Sequence, residues 1–326
     1  MLQKTYNWGI IGLGKIAHKF AEDLILAKDA NIYGVASRNI DKALEFSKQY
    51  NSVKYYGSYE DLVNDINIDI VYIATPHSYH CENTLMALEA GKAVICEKAF
   101  AMNRFEVEKM INKAKEKNVF LMEALWTRFI PSTEKIINLI KKGVIGELKS
   151  IRADFGFTAK NVPSERLFDK SLGGGSLLDT GIYPVFLSLL TLGFPEDIKA
   201  FAFKTLEGID NSCAMLLKYK NGQLAILDCS IASFTPIEAC LHGSLGYLKM
   251  HNSFQHTKKI SHFEGHDLKE SYDIDYMGNG YYHEIIEVMR CLNDGKIESE
   301  KMPLSFSLEM ITILDRIREE IALTYE

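Results

Sequence analysis

Prolines, cysteine pairs and long apolar runs are scarce in this chain of 326 residues. Only seven prolines occur, while 47% of the residues are hydrophobic and 25% are charged, a balance typical of a folded globular protein and not of a disordered or collagen-like one. The longest apolar stretch, residues 185–194, is interrupted by polar residues and is too short for the ~20 apolar residues that cross a bilayer. The net charge is −6, with no basic block. These absences argue against a membrane protein and against nucleic acid as a main partner.

Cysteine usage and length indicate the compartment and the domain number. The six cysteines contain no C-x-x-C pair, and residues 1–7 lack the apolar core of a signal peptide. Scattered cysteines of this kind favour a reducing, cytoplasmic location over a disulfide scaffold. At ~100–200 residues per domain, the length predicts two domains.

The first 125 residues alternate between short apolar runs and helical patterns. Such alternation predicts a doubly wound parallel sheet, so residues 1–125 are interpreted as a dinucleotide-binding domain of α/β class. Ser58 and Asn103 are placed to cap two of the helices. The predicted strands are 7–11, 31–36, 53–56, 70–74, 93–96 and 120–124.

Residues 126–326 show a different pattern, in which strands follow one another through tight turns. Apolar and polar residues alternate over 151–157, and Asn221-Gly222 predicts a hairpin between strands 212–220 and 223–230. Helices are predicted over 132–142, 281–293 and 304–322. This part is therefore interpreted as an α+β domain with a mainly antiparallel sheet that binds the substrate, with specificity set by loops around 155–172 and 234–265.

A glycine-rich turn leaves the first predicted strand and opens the first helix. Its sequence from Gly12 to Ala17 has the spacing G-x-G-x-x-A and includes Lys15 and Ile16. The first glycine permits a tight turn, Gly14 lets a pyrophosphate approach the backbone, and the helix N-terminus favours an anion. The context predicts a dinucleotide site, with a purely structural turn as the alternative.

The end of the second strand indicates which dinucleotide is bound. NAD sites commonly carry an acidic residue ~20 residues after the glycine motif, to bind the ribose hydroxyls. This chain has Ser37 and Arg38 there, with Lys42 one helical turn further on. A guanidinium and a hydroxyl suit a 2′-phosphate, so NADP(H) is predicted in preference to NAD(H); a surface arginine is the alternative.

The fourth predicted strand leads into Thr75-Pro76-His77, with His80 following. Ligands of such sheets bind beyond the carboxyl ends of the strands, so these four residues are predicted to line the cofactor crevice. Hydrogen bonding to the cofactor and helix capping are both compatible with the two histidines. No third ligand stands nearby, and a metal is not predicted.

Lys98 follows Glu97 at the end of the fifth strand, where an ammonium can orient a substrate oxygen and stabilise charge developing on it. Asp179 and Tyr183 are four residues apart and would share one face of a helix. The phenol of Tyr183 could exchange a proton with the substrate if a cation such as Lys98 lowered its reference pKa of ~10. The alternatives are a surface lysine, an N-cap aspartate and a core tyrosine.

These motifs together resemble the Gfo/Idh/MocA oxidoreductase family over essentially the whole chain. The segments 122–129 and 174–183 are most similar to the branch that contains dimeric trans-dihydrodiol dehydrogenase and NADP-dependent D-xylose dehydrogenases. The resemblance implies that Lys98 is essential, that Asp179 and Tyr183 are catalytic, and that Trp126 and Arg128 lie beside the nicotinamide, with Glu97 in the cofactor site. It also implies a large, open C-terminal sheet through which two copies form a homodimer.

One departure from the family pattern is Ala99, which stands where the E-K-P motif has proline. Some members have a cis peptide bond there. Because a cis bond before a residue other than proline costs about 3 kcal/mol, a trans bond is expected after Lys98.

The sequence therefore predicts an NADP(H)-dependent dehydrogenase that transfers a hydride between the nicotinamide and a carbinol carbon of a sugar or cyclic diol. Two alternatives remain: a non-catalytic dinucleotide sensor on the same fold, and a sugar–sugar oxidoreductase that retains its cofactor.

Overall fold

The computed structural model describes residues 4–159 and 165–325. The chain forms two compact units, of which unit 1 comprises Met1–Phe129 and Met277–Leu308, and unit 2 comprises Ile130–Tyr276 and Glu309–Glu326. A later segment thus returns to the first unit, which differs from the single division after residue 125 expected from the sequence. Local patterns of apolar residues report helices and strands but not the unit against which a distant helix packs.

Unit 1 is built on a six-stranded sheet in which all neighbouring strands are parallel. The strand order β3-β2-β1-β4-β5-β6 reverses direction beside β1, as in a doubly wound fold. β4 and β5 are buried throughout, which explains their continuous apolar sequences. The strands are β1 (Tyr6–Ile11), β2 (Ala30–Ala36), β3 (Lys54–Tyr56), β4 (Ile70–Ile73), β5 (Ala93–Glu97) and β6 (Leu121–Ala124).

Five helices connect these strands, and the predicted caps are confirmed. The Ser58 side chain accepts a hydrogen bond from the Asp61 amide, and Asn103 accepts one from the Glu106 amide. The helices are α1 (Lys15–Leu24), α2 (Ile40–Tyr50), α3 (Tyr59–Val63), α4 (His80–Glu89) and α5 (Arg104–Lys117).

Unit 2 contains an eight-stranded sheet, β14-β13-β12-β11-β7-β10-β9-β8. It is antiparallel except that β7 and β10 run parallel. The hairpin predicted at Asn221-Gly222 joins β9 to β10. The strands are β7 (Leu148–Gly156), β8 (Asp197–Lys204), β9 (Asp210–Lys218), β10 (Leu224–Ser230), β11 (Ala239–Gly243), β12 (Gly246–Met250), β13 (Lys259–Glu264) and β14 (Asp267–Asp273).

The expectation of loops around 155–172 and 234–265 is corrected in part. Residues 239–264 mostly form β11 to β13, and β14 follows them. β14 is exposed at all but one position, so it lacks the apolar alternation by which a strand is recognised in a sequence. In the other expected loop, residues 160–164 lie outside the described residues.

Two helices of unit 2 follow the division at residue 130: α6 (Pro131–Lys141) and α7 (Ile182–Leu192). α7 packs on β7 and β10. Lys170–Leu192 is the one described span whose length and composition alone would suit a membrane, but 78% of its most apolar window is buried inside the protein. It is therefore the core helical segment of unit 2.

The last two helices are α8 (Tyr282–Asn293) and α9 (Leu304–Glu320). Asp23 on α1 accepts hydrogen bonds from the backbone amides of Asn279 (2.7 Å) and Tyr282 (3.0 Å). A carboxylate from α1 thus satisfies amides at the N-terminus of α8, which helps to hold the returning segment in unit 1.

Candidate active site

The glycine turn at the start of α1 has the geometry of an anion cradle. Gly12 has φ +86°, and a Cβ there would lie 2.7 Å from the backbone at Ala74 and Thr75, so close packing on the end of β4 requires glycine. At Gly14, in contrast, a Cβ would meet no atom of the described residues within 4 Å. The chain's own packing therefore does not explain Gly14, whereas the approach of a pyrophosphate to the backbone does.

The N-terminus of α1 is also electrostatically suited to a phosphate. Gly14 is the N-cap, and it has no side chain that could accept a hydrogen bond from the first amides of the helix. The first turn, which includes Lys15 and Ile16, contains no acidic residue. The amides and the positive end of the helix dipole thus fit the diphosphate of a dinucleotide.

Arg38 lies at the end of β2, where the sequence predicted recognition of a 2′-phosphate. Its guanidinium carbon is 5.4 Å from the ring centre of Tyr79, and it also hydrogen bonds to Tyr59. The Ser37 hydroxyl accepts a hydrogen bond from the Asn39 amide, at 3.2 Å. Lys42 is exposed in the first turn of α2. Tyr79 and Tyr59 thus hold an exposed guanidinium at this strand end.

His80 has a structural position that differs from its predicted contact with the cofactor. Its side chain is fully buried, with Nδ1 2.8 Å from the carbonyl oxygen of Ala99 and Nε2 2.8 Å from that of Thr75. Both ring nitrogens therefore face backbone acceptors, and His80 links the end of β4 to the residue after Lys98. Contact of His80 with the cofactor stays a prediction, whereas its structural role at the end of β4 is given by these two contacts.

The other residues of this crevice segment remain candidates for contact with the cofactor. Pro76 is half-buried and precedes a short 3₁₀ turn, His77–Tyr79. His77 is buried, and its ring centre lies 5.6 Å from that of His80. The Thr75 hydroxyl accepts a hydrogen bond from Asn83, at 3.1 Å. Over 4–159 and 165–325, no three His, Cys, Asp or Glu side chains are grouped to hold a metal ion.

Lys98 follows β5 directly and is half-buried. The preceding Glu97 is buried and accepts a hydrogen bond from the Tyr72 hydroxyl at 2.6 Å. The peptide bond between Lys98 and Ala99 is cis, which corrects the expected trans bond. The Ala99 carbonyl lies against His80, and the Phe100 amide donates to Glu123, so contacts from distant parts of the chain fix a geometry that the local sequence did not indicate.

Two buried carboxyl groups in unit 1 were not singled out from the sequence. Burial raises the pKa of Glu123 to about 7, although the Phe100 amide acts in the opposite direction. Burial, followed by the charges of Glu97 and Asp23, raises the pKa of Glu284 well above its ordinary value. Neither position has a recognisable local signal, because their burial depends on packing between distant segments.

The aromatic residue predicted beside the nicotinamide has a fixed orientation. The indole of Trp126 stacks on Tyr281, with ring centres 4.9 Å apart and planes at 10°. Arg128, in the same 3₁₀ turn, donates from Nε to the carbonyl oxygen of Lys301 at 2.8 Å. The returning segment of unit 1 thus supports both residues, whose contact with a nicotinamide stays a prediction.

Asp179 lies in a π-helical turn, Leu177–Gly181, that continues into α7, where Tyr183 is 7% exposed. The Arg166 guanidinium donates to Asp179 Oδ1 at 2.6 Å, and the ring of Tyr183 lies 5.5 Å from that of Phe155. The alternative of an N-cap aspartate is not observed for Asp179. The Leu177 amide instead donates to Asp210, at 2.7 Å.

Sequence reasoning missed Arg166 and Asp210, although a signal for both existed in the glycine run. A Cβ at Gly174 would lie 2.7 Å from the carbonyl oxygens of Arg166 and Leu167, and one at Gly175 would lie 2.2 Å from Asp210 Oδ1. Consecutive glycines indicate that other groups approach closely, but they do not identify those groups.

Comparisons with known proteins agree with this architecture. The family model described as "Oxidoreductase family, NAD-binding Rossmann fold" matches residues 6–125, and the GFO/IDH/MocA C-terminal domain matches 133–249. Trans-1,2-dihydrobenzene-1,2-diol dehydrogenase from Mus musculus is 36% identical over 98% of both chains, and the Homo sapiens protein of that name is 33% identical over 98% of both.

Solved structures give the same fold. KijD10, a 3-ketoreductase from Actinomadura kijaniata in complex with NADP and TDP-benzene, superposes with a TM-score of 0.88 at 24% identity, covering 98% of both chains. An aldose–aldose oxidoreductase from Caulobacter crescentus has a TM-score of 0.89 at 22% identity, with the same coverage. From its sequence matches over the full length, the chain belongs to the GFO/IDH/MocA oxidoreductase family.

Proposed function

We propose that this protein is an NADP(H)-dependent dehydrogenase that transfers a hydride between the nicotinamide and a carbinol carbon of a cyclic diol or sugar. The observation that carries the proposal is the similarity to trans-1,2-dihydrobenzene-1,2-diol dehydrogenases, at 33–36% identity over 98% of this chain. That similarity spans both units and includes the segments that contain Lys98, Asp179 and Tyr183. A sensor that only bound the cofactor would not need an acid–base group in unit 2.

The residues of unit 1 that would hold the cofactor form two groups. Gly12, Gly14 and the first amides of α1 would bind the diphosphate, because the space at Gly14 is open to a ligand. Ser37 and Arg38, with Lys42, would bind a 2′-phosphate, since a forked guanidinium matches its oxygens. The absence of a carboxylate at 37 and 38 favours NADP over NAD.

When bound, the nicotinamide supplies the hydride acceptor or donor, and the chain's own residues handle the proton. In the proposed roles, Tyr183 exchanges the proton of the substrate hydroxyl, and Lys98 stabilises negative charge on the substrate oxygen. Asp179 accepts a hydrogen bond from a second substrate hydroxyl, which suits vicinal diols and sugars. Arg166 orients the Asp179 carboxylate through their 2.6 Å contact.

The decisive experiment follows reduced nicotinamide by its absorbance while NADP and NAD are each offered with trans-dihydrodiols, aldoses and inositols. We expect turnover with NADP on at least one diol or aldose, and its loss in Lys98→Met with NADPH binding retained. Lys269→Met, which removes an exposed lysine of β14, is the matched control and should leave turnover unchanged. Tight NADPH binding without turnover on the whole panel would contradict the proposal.

We further propose that the protein is a cytoplasmic homodimer. The outward face of β8 to β10 exposes Phe201 (81%), Phe203 (69%), Leu216 (45%) and Ile226 (43%), and a second copy covering this face would bury that apolar surface. Six free cysteines suit a reducing compartment. Light scattering should give twice the chain mass for the wild type and the monomer mass for Phe201→Asp; a monomeric wild type would contradict the dimer.

A further inference from the structure

Asp210 has a buried carboxyl group to which the proposed reaction assigns no role. It is the first residue of β9, and its side chain has no exposed surface. Oδ2 accepts two hydrogen bonds, each 2.7 Å long, from the Ser176 hydroxyl and the Leu177 amide. Leu177 begins the π-helical turn that contains Asp179. A strand residue thus caps the turn that presents a proposed catalytic group.

The glycine run is shaped around this carboxyl group. Gly175 has φ +122°, a conformation that other residues rarely adopt, and a Cβ there would lie 2.2 Å from Asp210 Oδ1. Oδ1 is buried without a hydrogen-bond partner among the described residues. The two hydrogen bonds to Oδ2 therefore join the carboxyl group to the turn that contains Asp179.

Two titratable side chains close to Asp210 stay protonated near neutral pH. On β10, Cys229 donates to the Ser176 hydroxyl at 3.4 Å, and Tyr325 in the C-terminal segment donates to the Gly174 carbonyl. Burial raises the pKa of Cys229 and of Tyr325, so both stay protonated.

The charged groups around the cluster are Arg318, whose guanidinium lies over the Tyr325 ring, and the ion pair of Arg166 with Asp179. In addition, Cys213 on β9 faces Cys229 on β10. Burial raises the pKa of Asp210 to about 6, with the hydrogen bonds from Ser176 and Leu177 opposing the shift. Asp210 is therefore ionised at pH 7 and takes up a proton in mildly acidic solution.

We propose that Asp210 is a positioning residue whose ionised carboxylate holds the turn that presents Asp179, and whose protonation loosens that turn. An ionised acceptor makes stronger hydrogen bonds than a neutral one, so the hold on Ser176 and Leu177 weakens when the carboxylate is neutralised. The expected effect on catalysis rests on the proposed function of Asp179. The effect of the Asp210 charge on the turn does not depend on that function.

The direct test is hydrogen exchange of the amides of residues 177–183, compared at matched pH between the wild type and Asp210→Asn. Asparagine keeps the shape and one acceptor oxygen but carries no charge. At about pH 8 we expect these amides to be protected about five-fold more strongly in the wild type than in Asp210→Asn. At about pH 5 the ratio of the two protection factors should be near one. A ratio that does not change with pH would overturn the proposal.

Ser176→Ala is the second variant, and it decides the question if Asp210→Asn fails to fold. It keeps the carboxylate but removes a hydrogen bond that lowers the pKa of Asp210. The pH at which protection of the turn is lost should therefore rise relative to the wild type. An unchanged midpoint would contradict the role of Asp210.

A kinetic measurement separates positioning from mere structural support. With a substrate found in the screen, kcat/KM of the wild type should fall on the acid side as Asp210 is protonated, whereas Asp210→Asn should lack that acid limb. A merely structural residue would lower kcat/KM by one factor at every pH. If the wild type turns over no substrate, the proposed function fails, while the exchange data still support or overturn the proposal for Asp210.

Discussion

Glu284 and Glu287 lie one turn apart on α8, and we predict opposite responses to removal of their charge. Glu284 is fully buried, and neither carboxyl oxygen has a hydrogen-bond partner in the described chain. Burial raises its pKa well above the ordinary value, because an ionised carboxylate without hydrogen-bond partners is costly inside the protein. Glu287 accepts hydrogen bonds from Arg290 and Ser299, which lower its pKa to about 2 although burial opposes this shift. Gln therefore mimics the native state of Glu284 but not that of Glu287.

The magnitudes follow from the linkage of protonation to folding. Moving the pKa of Glu287 from 4.5 to about 2 corresponds to about 3 kcal/mol of stability at pH 7, reduced to about 1–2 kcal/mol because Arg290 is 42% exposed and screened by water. This contribution is present above the unfolded pKa and is lost as pH falls through about 2. Glu287→Gln should therefore be destabilised at pH 7 by about 1–2 kcal/mol.

The pH dependence of stability has the opposite sign for Glu284, because its pKa is raised in the folded state. Its contribution is complete below the ordinary pKa of 4.5 and is lost progressively as pH rises from there to the folded pKa. In the unfolded chain Glu284 is ionised at pH 7, so the wild type has already lost stability there that Glu284→Gln retains, and the variant should be no less stable than the wild type at pH 7. In alkaline solution it should be more stable than the wild type, because a buried carboxylate cannot form in the variant.

The assay is urea denaturation of the wild type and both variants, at pH 7 and at about pH 9. The two substitutions make the same chemical change on the same helix, so each serves as the control for the other. The reasoning is refuted if Glu284→Gln is the more destabilised variant at pH 7, or if it gains no stability relative to the wild type at the higher pH.

Two further substitutions test the cradle and the ion pair. Gly14→Val should reduce NADPH affinity at least about ten-fold, because its side chain would occupy the space that a phosphate needs. The melting temperature should be nearly unchanged, since a Cβ at this position meets no described atom within 4 Å. Fluorescence titration measures the affinity, and unaltered binding would show that no phosphate approaches this backbone. Arg166→Met should lower kcat/KM about ten-fold, mainly through KM, and Arg166→Lys should restore part of it, because Arg166 holds the Asp179 carboxylate. A loss confined to thermal stability would instead assign Arg166 a purely structural role.

Unit 1 could be predicted from the sequence largely because its central strands, β4 to β6, are buried on both faces. All six strands were placed to within two residues, although β3 is short and largely exposed, and Ser58 and Asn103 marked helix starts correctly. β14 (Asp267–Asp273) could not be found in the same way, since its exposed side chains carry no apolar alternation. The parallel pairing of β7 with β10 was also hidden, because strand patterns do not encode which distant strand is the neighbour.

Some residues of the candidate site have local sequence signals, whereas the contacts of others form only between distant parts of the chain. The glycine turn, Lys98, Asp179 and Tyr183 were identified because their spacing is local. The contact between Leu177 and Asp210 joins residues 33 apart, and its geometry exists only in the folded chain. The contacts of His80 also depend on the fold, because carbonyl groups 5 and 19 residues away face its ring nitrogens.

The buried carboxyl groups of unit 1 bear on the charge available at Lys98. If Glu123 and Glu284 were both ionised, the end of the parallel sheet would contain negative charge that opposes both the ammonium and a cofactor phosphate. Burial raises the pKa of Glu284 well above its ordinary value and raises the pKa of Glu123 to about 7, and the charge of Lys98 acts to lower the pKa of Glu123. The raised pKa of Glu123 reduces the carboxylate charge that this residue presents to Lys98, which supports the proposed role of Lys98 in stabilising negative charge on a substrate oxygen.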